Sequence, residues 1–439
     1  MTLPRRPFSP AVFALCAGSL LAAGCGPGGG STNPTNTAKY ENTAVAAPAS
    51  APAAPPSAVP NSFDEATARL DRGGSFYLYW SLAQYLDGLS AQVAKLRASF
   101  PADDMTPEDR QKADLYFKLG ADLVKNSGVE QLTGVGLSTL EIEPGVTRHT
   151  VFAHHYKGKM SGLLNTLFGT STHPLTALNL LPADTALASG GDYDLAALVR
   201  MILKTIDESG VPELKRATAD NLQKFQRTAG MSLDEFLGSL GQEIDLVLTL
   251  DPVKKINVPL GKEGAPMSIP LPRLALLIEV KDDKLFDKLD GTLAQIPSII
   301  KADEPGLKMR TMAYPLMPDY ELRGSVARWD KYLVIASDDY LIRDMMAAQK
   351  GGPGFKASPL YAKLSPGLPT EGNSFTVQTR QVTELILAYQ RQTMAAQKGL
   401  LPAQYEWLQK MLYSQTPKDQ ISVSGHVENG WLAVGKAAR

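Results

Sequence analysis

Glu243-Ile244-Asp245-Leu246-Val247-Leu248-Thr249-Leu250 alternates large apolar residues with shorter or charged ones at a period of two. Successive side chains of an extended strand point to opposite faces, so this stretch reads as β-strand. Ile244, Leu246, Leu248 and Leu250 are expected to face a core, with Glu243, Asp245, Val247 and Thr249 on a wetter side. Leu274, Leu276, Ile278 and Val280 repeat the alternation, and the span from Gln242 to Val280 reads as a strand hairpin. Beyond it, Lys281-Asp282-Asp283 opens a helical period at Leu285, Phe286, Leu289, Leu293 and Ile296. Tyr320 to Trp329 and Tyr332 to Ala336 read as two more strands, turned at Asp330-Lys331.

The same order recurs on either side. Ser75 to Trp80, Asp184 to Ala188 and Asn373 to Val377 are each a short strand that runs into a helix. Each is followed by another helical segment and then a hairpin: Val135 to Ala153, Gln242 to Val280, and Gln420 to Val434. Helix signals are well marked. Leu82, Tyr85, Leu86, Leu89, Val93 and Leu96 share one helical face. Thr106-Pro107-Glu108-Asp109 supplies a cap, a first-turn proline and acids at the positive end of the dipole, and Gly128 stops that helix. Asp194 caps a helix ending at Gly210, Pro212-Glu213 starts another, and Ser232-Leu233-Asp234-Glu235 is a capping box. The expected fold class is α+β: repeated strand–helix–hairpin units sharing a largely antiparallel sheet, with helices packed on one face. The body, 63–439, is expected as one α+β unit or as two lobes, about 63–180 and 181–439.

Upstream, Arg5 and Arg6 precede an apolar run from Ala11 to Ala23, and then Gly24 and Cys25. That run is short for a membrane span. Basic start, apolar middle, small residues and Cys resemble the signal peptide and lipobox of bacterial lipoproteins; a plain secretory signal with an incidental Cys is the alternative. The resemblance implies cleavage between Gly24 and Cys25, removal of residues 1–24 and acylation of Cys25. Gly26, in place of an Asp, implies the outer membrane in a Gram-negative cell. Arg5-Arg6-Pro7-Phe8 also has the look of part of a twin-arginine signal. Residues 25–62 are, after Cys25, mostly Gly, Pro, Ala, Ser, Thr and Asn, and too poor in large apolar groups to offset the entropy of ordering. They read as a tether that spans roughly 120 Å fully extended.

With Cys16 in the signal segment and Cys25 as the anchor, the body carries no thiol. Disulfides, cysteine nucleophiles and thiolate metal sites are thereby excluded from it. The formal net charge of −1 becomes two units more negative without Arg5 and Arg6, which gives no electrostatic case for nucleic acid. No apolar run in the body is long enough to cross a bilayer.

Leu181-Pro182-Ala183-Asp184-Thr185, Leu274 to Asp282, and Leu333-Val334-Ile335-Ala336-Ser337-Asp338-Asp339 follow one another in an order that resembles an uncharacterised bacterial extracytoplasmic family, a domain of unknown function. The likeness runs from about Leu181 to Leu387. It implies a secreted or lipid-anchored α+β protein and assigns no functional residue.

Catalytic signatures are weak. His149, His154 and His155 lie close in sequence, but on a strand His149 and His155 share a face about 20 Å apart while His154 points the other way. His173 and His426 stand alone, and no metal or cofactor site is expected. Asp338-Asp339 and Asp282-Asp283 suit helix starts better than a catalytic dyad. Ser298-Ile299-Ile300-Lys301 matches Ser-x-x-Lys without its companion motifs. Gly351-Gly352-Pro353-Gly354 lacks the Gly-Lys-Ser/Thr of a phosphate cradle. Met309, Met312, Met317, Met345 and Met346 read as pliable core. Phe76, Tyr77, Tyr79 and Trp80 either line a carbohydrate or lipid site or pack on both sheet faces. The chain is thus expected to be a non-enzymatic, lipid-anchored binding or structural module of the cell envelope. Its partners would be the membrane and an envelope protein, lipid or glycan. A lipid or lipoprotein carrier with an apolar cavity and an envelope hydrolase are the alternatives.

Overall fold

The computed structural model describes residues 61–99, 105–258, 266–317, 320–396 and 417–438. Cys25, Gly24, the signal segment and the tether before Asn61 lie outside them. So does most of the second helical segment expected between Val377 and Gln420.

Three units recur as expected. The first is β1 (Phe76–Ser81), a pair of packed helices (Leu89–Ser99 and Pro107–Ser127), then the hairpin of β2 (Leu132–Glu143) and β3 (Val146–His155). A two-residue strand, β4 (His173–Pro174), leads to the second: β5 (Thr185–Asp192), the helices Leu195–Glu208, Pro212–Ala229 and Leu233–Ser239, then β6 (Leu240–Val258) and β7 (Met267–Val280). A helix, Lys284–Leu293, and a meander follow: β8 (Ile299–Glu304), β9 (Leu307–Met317), β10 (Tyr320–Trp329) and β11 (Tyr332–Ala336). After β12 (Glu371–Gly372) comes the third unit: β13 (Ser374–Gln378), the helix Arg380–Ala396, β14 (Asp419–Val427) and β15 (Gly430–Ala438).

In each unit the opening strand lies antiparallel to the first strand of its own hairpin: β1 on β2, β5 on β6, β13 on β14. In the first unit a helix pair between them explains this. One helix leads away and the next returns, so the chain re-enters the sheet from the end it left. The units fuse alternately, through their last strands (β3 with β15) and through their first (β13 with β5). The result is one antiparallel sheet of 13 strands, ordered β1-β2-β3-β15-β14-β13-β5-β6-β7-β11-β10-β9-β8.

Local signals act where the residues stand. Thr106 Oγ1 accepts from the Asp109 amide at 3.1 Å, and Gly128 closes that helix at φ +81°. Asp194 accepts from the Ala197 amide at 2.8 Å, and the Ser232–Glu235 capping box forms. Asp330, at φ +51°, turns β10 into β11, a conformation Asp tolerates better than most residues. The face Leu82 to Leu96 is different: the chain breaks at Asp87-Gly88, with φ +68° at the glycine, into Ala83–Leu86 and Leu89–Ser99. Tyr85 and Leu96 stay more than half exposed, because this helical hairpin packs chiefly against itself.

The opening stretch corrects its own reading. Glu243, Asp245, Val247 and Thr249 are all buried, whereas Ile244, Leu246 and Leu248 are only partly so. The same inversion holds on β7 and β11, where Ala275, Leu277 and Val334 are sealed while Leu274 and Ile335 are exposed. Both faces of the sheet are in fact covered. The helices of the second and third units lie over the Leu246 side, where Val199, Leu237 and Phe286 pack with Ile278 and Leu333, and Val382 and Leu385 with Leu248 and Leu250. Connecting segments fill the other side: Leu341, Ile342 and Met345 of the helix Asp339–Gln349, and Leu364, pack on Val247, Leu277, Phe375 and Val377. The connectors pack more closely than the repeat helices, so the side with the polar residues is the drier one.

Candidate functional site

Where the three units meet, the repeat-helix side of the sheet carries small residues in register. Ser374 pairs with Ser424, Thr376 with Ser422 and Ser189, and Ala433 with Ser424 and Val151. Such short side chains cannot fill the layer between sheet and cover. The cover is Leu164, Phe168 and Tyr193, the two rings meeting edge to face at 6.0 Å. Between floor and cover is a mainly apolar cavity of ≈ 230 Å³.

One wall is polar and internally satisfied. Asn373, 3 % exposed, donates to Asp192 at 2.9 Å and to the Ser171 carbonyl at 2.7 Å, and accepts from the His426 amide at 2.8 Å. His173 Nε2 lies 3.0 Å from both oxygens of Asp192. Burial opposes protonation of His173, but the Pro174 carbonyl and Asp192 outweigh it and hold its pKa above the ordinary value. Gly169 is required here: at φ +80°, a Cβ would stand 2.3 Å from Asn373 Nδ2 and 2.5 Å from Asp192 Oδ2.

A polar and unsatisfied cluster adjoins this wall, since the His426 amide bonds Asn373. The rings of His155, His426 and Trp431 are mutual neighbours, with centroids 5.1, 5.5 and 5.9 Å apart. His155 Nε2, His426 Nε2 and Trp431 Nε1 are all buried without a hydrogen-bond partner. Desolvation lowers the pKa of both histidines, so both rings are neutral at neutral pH. His426, isolated in sequence, is thus beside His155 because β15 lies between β3 and β14.

The remaining histidines are committed. His149 bonds Thr139 and Thr147, at 2.9 and 3.1 Å. His154 is fully buried, between Thr133 and Glu65. Asp338 caps its helix through the Tyr340 amide at 2.8 Å, and Asp339 pairs with Arg323 at 2.7 Å. Asp282 accepts from the Lys284 amide, and Asp283 pairs with Arg328 at 2.8 Å. Ile299 to Lys301 lie on the edge strand β8, and the glycines 351–354 form a turn after a helix. Met309 and Met345 are core, whereas Met312 is 46 % exposed. Tyr79 packs on Phe63, but Tyr77 and Trp80 on the edge strand β1 remain exposed. Among the described residues no group of three or more His, Cys, Asp or Glu is placed to hold a metal ion.

A second unusual group lies across the sheet. Asp245 is 2 % exposed and neither carboxylate oxygen has a partner. Burial first, and then the neighbouring Glu243, push its pKa well above the carboxylate range, while Lys331 pulls the other way. Lys331 itself bonds Glu243 and reaches Glu279 at 3.5 Å.

No protein-family model matches the chain, and neither a curated protein nor a solved structure matches it.

Proposed function

We propose that this protein is a non-catalytic binding module of the cell envelope, held to a membrane through acylated Cys25, whose cavity takes a small, largely apolar molecule. The observation that carries the reading is the cavity itself: a floor of Ser, Thr and Ala beneath a cover of Leu164, Phe168 and Tyr193. At ≈ 230 Å³ it lies below the range of about 300–1,000 Å³ common for drug-sized ligands. Its size therefore favours a single small apolar group, such as the end of one acyl chain, over a multi-chain lipid. A non-catalytic role is supported by the hydrogen bonding: among the described residues no serine hydroxyl bonds a histidine, and both nitrogens of His173 are engaged by Pro174 and Asp192. No helix among the described residues is long and apolar enough to cross a membrane; what supports attachment through Cys25 is the lipobox resemblance of the N-terminal segment.

The test is occupancy. Protein purified from its native membrane should retain a small apolar molecule, detected by native mass spectrometry and solvent extraction. Ala433→Phe and Ser424→Leu, which fill the floor, should lose it. Equal occupancy in wild type and both filled variants would refute the assignment.

A further inference from the structure

The floor of the cavity changes character along the sheet. Ser189, Thr376 and Ser422 stand in one row across β5, β13 and β14, and all three line the cavity. In the next row Ser374 and Ser424 bond each other at 2.6 Å. The hydroxyls of Ser189, Thr376 and Ser422 have no hydrogen-bond partner among the described residues, yet they are not sealed in as the His155, His426 and Trp431 nitrogens are. A group inside the cavity can reach them, and each hydroxyl both donates and accepts. No Lys, Arg or His lines the cavity, whereas Asp192 does. An anionic head would therefore enter without a cation and beside a carboxylate.

Beyond β14 the same face turns apolar. Two rows run in register towards the sheet edge: Trp431, Ala153, Val135 and Trp80, and then Ala433, Val151, Leu137 and Leu78. The first two residues of each row line the cavity. The last two carry the floor on past it, and at the edge Trp80 is 55 % and Leu78 42 % exposed. The helical hairpin of the first unit packs chiefly against itself and leaves this strip open. Three strand spacings take the strip about 14 Å from β15 to β1.

We propose that the site takes a single-chain amphiphile with an uncharged polar head, such as a monoacylglycerol. The head bonds the row of Ser189, Thr376 and Ser422, and the chain runs over β15, β3 and β2 to Leu78 and Trp80. The assignment rests on the cavity reading above. An acyl chain is the occupant that suits the strip, because the strip continues the cavity floor and each methylene laid on it is removed from water.

The test uses 1-monododecanoylglycerol with a photoactivatable diazirine either beside the carbonyl or at the methyl end, added to the full-length chain in its membrane. The first probe should label the cavity floor on β13, β14 and β15, and the second should label Phe76–Ser81. Unlabelled monododecanoylglycerol should compete at about one-tenth of the concentration that dodecanoate needs at mildly alkaline pH. Thr376→Val together with Ser422→Ala should remove that preference. Trp80→Ser should weaken the methyl-end label and leave the carbonyl-end label in place. If a variant fails to fold, the wild-type label map and competition decide alone. Equal competition by dodecanoate, or a methyl-end label confined to the floor, overturns the proposal and leaves the cavity standing. Label on Phe76–Ser81 with none on the floor gives the strip to the bilayer or another partner and overturns it too. No competable label at either place overturns the cavity reading as well.

Discussion

Replacing Asp245 by Asn should change the pH dependence of folding in a defined direction. In the native state the carboxyl is buried, unpartnered and near Glu243, so its pKa is raised well above the ordinary carboxylate range. In the unfolded chain it titrates near about 3.9. Below that value both states hold the proton and Asp245 costs little. As pH rises, the unfolded chain releases the proton while the native state keeps it, and stability falls by about 1.4 kcal/mol per pH unit until the folded pKa is reached. The amide of the Asp245→Asn variant has no such proton to release. Wild type and variant should therefore have similar stability near pH 4 and diverge above it, the variant becoming the more stable. Urea unfolding at half-unit steps between pH 4 and pH 7 measures the divergence. The difference between the two proteins cancels the contributions of Glu243, Glu279 and Lys331 to the extent that these do not reorganise. Parallel curves, or a variant destabilised by the same amount at every pH, would show that Asp245 is ionised and accommodated in the native state.

Gly190 is the steric counterpart of that carboxyl: a Cβ there would meet Asp245 Oδ1 at 1.9 Å and Phe375 Cε1 at 2.6 Å. Gly190→Ala should cost about 1–3 kcal/mol, and Asp245→Ala in the same chain should recover part of it, a coupling that a double-mutant cycle reads directly. By NMR titration, His155 and His426 should titrate below about 6.5 and His173 above it. The contribution of His173 to stability is thus present at low pH and lost as pH rises through its folded value. Asp192→Asn should lower the His173 midpoint; an unchanged midpoint would remove Asp192 as its cause. Cys25→Ala should abolish acyl labelling and release the chain from the membrane fraction, and labelling that persists would assign the anchor elsewhere.

Features set by neighbours in sequence were legible before the fold. The Thr106, Asp194 and Ser232 caps depend on three or four residues, and so do the paired acids at 282–283 and 338–339, whose helix-start role is what the structure shows. The three-unit repeat was visible for the same reason, since each unit is a run of contiguous elements. What period alone could not show is which strand face is the drier. Alternation at 243–250 separates two sets of residues, but only the packing of the 339–349 helix on one side, and of more loosely fitted helices on the other, ranks them. The cavity was hidden for a related reason. Ser189, Ser374 and Ser424 are unremarkable until β5, β13 and β14 are adjacent, and a void is defined by atoms that are missing. The period-two runs Ser374-Phe375-Thr376 and Ser422-Val423-Ser424, small on one face and large on the other, were the available signal.

The position of the cavity follows from how the units fuse. Its floor draws β3 from the first unit, β5 from the second, and β13, β14 and β15 from the third. The third unit enters the sheet reversed, between the other two, and so brings its two junctions to either side of β14. At one junction, β3 meets β15 and sets His155 beside Trp431 and His426; at the other, β13 meets β5 and sets Asn373 beside Asp192. No unit alone contains a complete floor or both polar groups. A chain that merely repeated its unit for stability would have every reason to fill these positions with Leu or Val, as β6 and β7 do at theirs, because each buried methylene contributes about 0.8 kcal/mol. The small floor residues lie where all three units contribute strands, and under the proposed reading this is what leaves room for a ligand.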